Sequence, residues 1–510
     1  MNPVWLFRSI LPACLATGMA ASSQTNNAPL LQRPWFEAQT AHFDIYSCGK
    51  PSDVLWLSAR LEQFREAFRL LAGSNAVASP PIVVLAFPDH ESMLPYLPQY
   101  HGKPDNLAAF FQRGGEENLI VLSLPEMRSN RPDLQVVFHE YTHFLFRRND
   151  AVWPMWLKEG MAEVYSTFQT DGRNAWIGHP MDDHLALLAG EPWMPLTTLF
   201  AVTHDSPQYN ERDRQGIFYA ESWLLTQFLV AGDVPAYRSQ FGKFTGYLLE
   251  GQPFVQAFTN ALQSSLSSVE VQLHRYFAER RFAPVGLRLP ADISSPVPMT
   301  SRFLAPVDVY FRLGDELLLI DQSDLAESYF QSAQRLMPES PLPCEGLGLL
   351  AALHDRHDET LREMDEALRR GSTSYRVLFF HAREKYRLTA DPGDRYKRIG
   401  GNTATQIHDQ LAQSMALMPD FAPADELMGF FEMVQGRSPD SAEQHLRRAI
   451  ELEPENPAYR FSLAEFLVKE GNRDAARQTL NTLLLPAIDE DVRTNAEALI
   501  RAMDRHRRGF

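Results

Sequence analysis

The stretch His139-Glu140-Tyr141-Thr142-His143, with Glu159 sixteen residues beyond its second histidine, limits this chain more than any other feature. Residues four apart lie one above the other on a helix, so His139 and His143 present two imidazoles to one point. Glu140 projects about a third of a turn away, close enough to hold a water at the same point. A catalytic zinc takes three protein ligands and keeps one position open, and Glu159 is the candidate third ligand. The flanks supply the helix. Asn130 suits its N-cap, and Pro132 and Asp133 suit the first turn. Leu134, Val137, Phe138, Tyr141 and Leu145 recur at helical spacing, and Arg147 and Arg148 suit the last turn. Asn149 and Asp150 break the run, Asp150 is a candidate N-cap for a second helix, and Trp156 to Phe168 continue that helix. A connection this short makes the two helices antiparallel or steeply crossed neighbours.

HEYTH followed by WLKEGMAE resembles the gluzincin peptidases. More narrowly, it is similar to bacterial peptidase-MA-like proteins in which such a domain precedes tetratricopeptide repeats. The resemblance implies His139, His143 and Glu159 as ligands of Zn2+ and Glu140 as general base and acid. It also implies that Glu163, one turn past Glu159, orients a histidine. The gap from His143 to Glu159 is about one turn shorter than in aminopeptidase-type relatives. No G-x-M-E-N segment precedes it, since Gly114-Gly115 and Glu117 belong to a different string. Aminopeptidase activity is therefore not expected.

Upstream, Ala41–Ser47 alternates like a strand, Pro51–Gly73 has helical periodicity, and Pro81–Phe87 reads as a buried strand. Asn106–Gln112 and Asn118–Ser123 form an expected hairpin around Arg113-Gly114-Gly115. By the same resemblance, the strand before the HExxH helix is the edge that pairs with an extended substrate. Downstream, Tyr219 lies in Tyr-Ala-Glu-Ser-Trp, a segment similar to one in the related proteins. It is a candidate hydrogen-bond donor to an oxyanion, against the plainer reading of a core tyrosine. His179, His184, His204 and His274 read as ordinary surface or packing residues.

Residues 284–306, rich in proline and serine, read as a linker. Beyond them, repeats of about 34 residues begin. Tyr310, Leu313, Gly314, Leu317, Ala326, Phe330, Ala333 and Pro338 fall at the tetratricopeptide spacing. Further units follow to residue 487, and 488–510 reads as a capping helix. The run from His354 to Glu359 has metal-binding residue types, but its place between two repeat helices marks it as a solvated turn.

The fold expected is thus an α/β (α+β) gluzincin-like metallopeptidase domain, 31–283, followed by an all-α tetratricopeptide solenoid, 307–487. Residues 1–20 read as a secretory signal, implying export to the periplasm or medium. Cys14 sits in a lipobox-like string that Pro12 disfavours. A formal charge of −16 argues against nucleic-acid or anionic-membrane partners, and no internal run is long enough to span a bilayer. Three cysteines make no disulfide framework. Two functions follow from these residues. One is a zinc peptidase acting on a peptide or protein substrate, its repeats binding a protein partner. The other is an exported repeat adaptor with a structural or vestigial metal site.

Overall fold

The computed structural model describes residues 28–507 apart from 74–79, 101–102, 105–108, 125–132, 150–151, 211–214, 233–234, 295–298, 390–395, 397 and 486–487. The leader with Cys14, the cap candidates Asn130 and Asp150, and Pro132 lie outside the described residues. Strands run in the order β1 (Phe36–Gln39), β2 (Phe43–Ser47), β3 (Ile82–Phe87), β4 (Ala109–Arg113), β5 (Asn118–Ser123), β6 (Gln169–Thr170), β7 (Asn174–Ile177), β8 (Val285–Arg288) and β9 (Thr300–Phe303). The main sheet has the order β9-β1-β2-β3-β5-β4. β2, β3 and β5 are mutually parallel, and the outer pairings are antiparallel. Every residue of β3 and of β5 is buried, as expected of strands covered on both faces.

Helix α1 (Pro51–Ala72) covers one face of the sheet and receives the HExxH helix α2 (Asp133–Phe146). Phe64 of α1 stacks on Phe138 at 4.3 Å between ring centroids, and Arg65 donates to the Tyr141 hydroxyl at 2.9 Å. The apolar stripe of α2 thus faces the core, and the histidines occupy the opposite flank. A 3-10 turn, Arg147–Asn149, leads to α3 (Met155–Ser166). Then come α4 (Asp182–Gly190), α5 (Gln215–Ala231), α6 (Pro235–Leu249), α7 (Phe254–Leu262) and α8 (Leu266–Glu279). Gly160 lets α3 lie directly on α5. A Cβ there would collide with the Ser222 carbonyl oxygen and with Thr226 Oγ1.

Two expectations change. The strand before the HExxH helix is β5, which lies inside the sheet, while β4 holds the edge. The uninterrupted apolar run Leu119–Leu122 is the reason, because burial on both faces suits an interior strand. Residues 284–306 differ from a linker too. β8 pairs with β7, and β9 pairs with β1 to close the sheet's other edge. Phe303 meets the Phe36 ring edge-on at 5.5 Å, and Arg302 pairs with Glu37 at 2.6 Å.

From Pro306 the chain is helical, in antiparallel pairs: α9 (Pro306–Leu319) with α10 (Ser323–Leu336), α11 (Leu342–Leu353) with α12 (His357–Arg369), and α13 (Tyr375–Thr389) with α14 (Gly401–Leu417). Next come α15 (Ala422–Gln435) with α16 (Pro439–Leu452) and α17 (Pro457–Lys469) with α18 (Arg473–Asn481), closed by α19 (Glu490–Arg507). Ala326, Phe330 and Ala333 are fully buried between helices, the packing that the repeat spacing predicts. Of the run His354–Glu359, only His354–Arg356 form the turn between α11 and α12, and His357, Asp358 and Glu359 open α12 instead. No described helix is long and apolar enough to cross a membrane.

Candidate metal centre

His139 and His143 project from α2 towards Glu159 on α3. Their Nε2 atoms lie 3.2 Å apart, and each is 3.4 Å from the same carboxylate oxygen, Glu159 Oε2. Among the described residues this is the one group of three histidine, cysteine or acidic side chains with metal-ligating geometry. Bonds of 2.0–2.1 Å at the tetrahedral angle give ligand–ligand separations of about 3.3 Å, so the triangle has the dimensions of a zinc ligand set. Glu159 Oε2 is buried and faces only the two imidazoles, at a distance longer than a good hydrogen bond, the spacing that an ion shared among the three would complete. The residues present therefore fit zinc.

The electrostatics are those of a site that draws cations. Burial opposes a charge on His139, but Glu159, Glu163 and Glu140 outweigh it and raise the imidazole to about 9. Burial likewise works to raise Glu159, and the two histidines overcome it and hold the carboxyl at about 2. Glu163 Oε1 lies 3.4 Å from His139 Nδ1, the nitrogen turned away from the triangle. Glu140, on the same helix, is half-buried.

Tyr219, on α5, places its ring 6.3 Å from the His139 ring. Its hydroxyl interacts with that of Tyr209, which donates to Glu159 Oε1 at 3.5 Å. Burial and the Glu159 charge raise both phenols, Tyr209 to about 12, so each keeps its proton at neutral pH. The sequence reading missed two residues here. His184, read as an ordinary packing residue, puts Nε2 3.4 Å from Glu163 Oε2, so one carboxylate lies between His139 and His184. Tyr209, in Ser-Pro-Gln-Tyr, carries no local signal, because only the packing of the one-turn helix Pro207–Asn210 beside α5 brings it to Glu159.

A tetratricopeptide repeat family model matches residues 433–499. The chain therefore carries tetratricopeptide repeats in its helical C-terminal region. Among solved structures it is similar to YrrB, described as a repeat protein with an unusual peptide-binding site: 15% identity, 37% of this chain and 90% of that one, TM-score 0.29. It is also similar to a thermophilic repeat protein of Thermus thermophilus, at 22% identity, 38% and 98% coverage, and TM-score 0.30. For pilF of Pseudomonas aeruginosa the figures are 18%, 40% and 93%, and 0.30. No curated protein matches the chain.

Proposed function

We propose that the chain is an exported zinc-dependent peptidase whose repeats are part of the same working unit. The triangle formed by His139, His143 and the buried Glu159 Oε2 carries this reading. Those three residues would hold zinc, which when bound supplies a Lewis acid that makes water acidic near neutral pH. Glu140 then takes a proton from the attacking water as the new C–O bond forms. It delivers that proton to the leaving amine as the C–N bond breaks. Glu163 accepts the second N–H of His139 and fixes the plane of the ring, with His184 on the carboxylate's other oxygen. Tyr219 keeps its proton and can donate to the oxyanion, while Tyr209 donates to Glu159 Oε1.

A second reading is an exported repeat adaptor or scaffold with a structural or vestigial metal site, and the comparisons favour its scaffold part, because the matching family model falls in the repeats. Metal analysis together with a peptide-library digest, with and without chelator, separates the two. Stoichiometric zinc with chelator-sensitive cleavage supports the peptidase, whereas zinc without cleavage supports the scaffold.

A further inference from the structure

The face of a repeat solenoid lined by the first helix of each unit is its usual surface for a partner. Here the chain itself occupies part of it. The turn between β4 and β5, Gly114–Glu117, sits against α9 and α13, the first helices of repeats one and three. Glu117 lies 2.8 Å from Arg376 and 3.1 Å from Arg312. Both arginines also face Asp315, at 2.9 and 3.4 Å, and Glu345 lies 3.7 Å from Arg376. Tyr375 donates its hydroxyl to the Glu116 carbonyl at 3.1 Å. A Cβ on Gly114 would fall 2.9 Å from Leu319 Cδ2 at the end of α9 and would collide with the Glu117 carbonyl oxygen, so the turn is tight and lies directly beside α9. The Arg376 side chain is only 6% exposed, and a buried guanidinium needs its carboxylate partners.

A second contact lies further along the solenoid. Glu455, in the turn between α16 and α17, pairs with Arg113 at the end of β4 and with Arg147 just past the HExxH helix. Arg147, itself 3% exposed, also donates to the Leu452 carbonyl at 3.3 Å. One carboxylate of the repeats thus joins the sheet's free edge to the end of the helix that carries His139, Glu140 and His143.

We infer that the solenoid is an internal clamp on the cleft, its arginine-lined face holding the chain's own acidic turn while Glu455 sets the spacing between the edge strand β4 and α2. Glu117, Arg376 and Glu455 are positioning residues. They touch no reacting atom, but they fix the strand along which an extended peptide would lie relative to Glu140. The consequence for substrate rests on the peptidase reading, whereas the clamp itself does not. A protein partner that used this face would first have to displace the turn.

The test uses the full chain, as wild type and as Glu117→Gln, Glu455→Gln and Tyr375→Phe. Amide hydrogen exchange of residues 109–118 and 144–149 should quicken about tenfold or more in the two charge variants. It should quicken less in Tyr375→Phe, which loses one hydrogen bond, and protection of the other repeat helices should stay at the wild-type level. Equal rates in all four proteins overturn the clamp. If the charge variants fail to fold, Tyr375→Phe decides, and unchanged exchange at 116–118 then overturns it. Where the wild type cleaves a peptide, Glu455→Gln should raise KM by a larger factor than it lowers kcat, and an equal fall in kcat at constant KM counts against the clamp. A wild type that cleaves nothing removes the peptidase reading, and the exchange data still judge the clamp.

Discussion

Zinc should stabilise this protein, and the size and pH dependence of the effect follow from the site. Free zinc at 100 times its Kd adds about 2.7 kcal/mol to the folded state. For a folding unit of about 250 residues, each kcal/mol moves Tm by about 2–4 °C, so the N-terminal transition should rise by about 5–11 °C. His139 sets the pH dependence. A pKa of about 9 means that the metal-free ring is protonated at pH 7, and the ion binds only the neutral imidazole. Binding at pH 7 must therefore expel a proton from this ring, and the apparent affinity should climb about tenfold per pH unit from 7 to 9. The metal-free protein behaves in the opposite way. Its raised histidine stabilises the fold fully below pH 6.5, and that contribution is lost as pH rises through 9. Differential scanning calorimetry with zinc or chelator gives the shift, and isothermal titration in two buffers of different ionisation enthalpy gives the proton count. A zinc-induced shift of the same size in His143→Ala, or no proton release at pH 7, would refute the reasoning.

Other outcomes are expected. Glu140→Gln should retain zinc and lose turnover by about 10²–10⁴-fold, as judged by metal analysis beside peptide cleavage. Gly160→Ala should cost about 1–3 kcal/mol in a thermal melt, because its methyl meets the Ser222 backbone of α5. Glu221 is buried and accepts from the Met194 amide, and burial pushes its carboxyl up to about 8. The folded state therefore holds this proton more tightly than the unfolded state, and stability should fall as pH rises from about 4.5 to 8. Glu221→Gln should flatten that slope and raise Tm at pH 8 more than at pH 5, and parallel pH profiles for variant and wild type would contradict the assignment.

Much of this architecture was legible in the residues. The stripe from Leu134 to Leu145 fixes which flank of α2 is buried, and so which flank carries His139 and His143. The spacing to Glu159 works because the connection between the helices is short, running from Arg147 to Pro154 and opening with a 3-10 turn. Features that depend on distant partners were not legible. β9 is Thr-Ser-Arg-Phe, exposed at all four positions, and becomes a strand because β1, more than 250 residues earlier, offers it a free edge. His184 has no local signature, since its meeting with Glu163 depends on how α4 packs. Gly114–Glu117 reads as an ordinary hairpin turn until Arg312 and Arg376 come beside it. The choice between β4 and β5 as the edge was the exception, because the unbroken apolar run of β5 already marked an interior strand.

The junction at Phe303–Pro306 has a mechanical consequence. Two residues separate the last sheet strand from the first repeat helix, and the Leu304 amide is bonded to the Trp35 carbonyl at 2.9 Å. Nothing there can serve as a flexible tether. Tension applied to the superhelix would act on the outermost strand as a peeling load, unzipping β9 from β1 one hydrogen bond at a time.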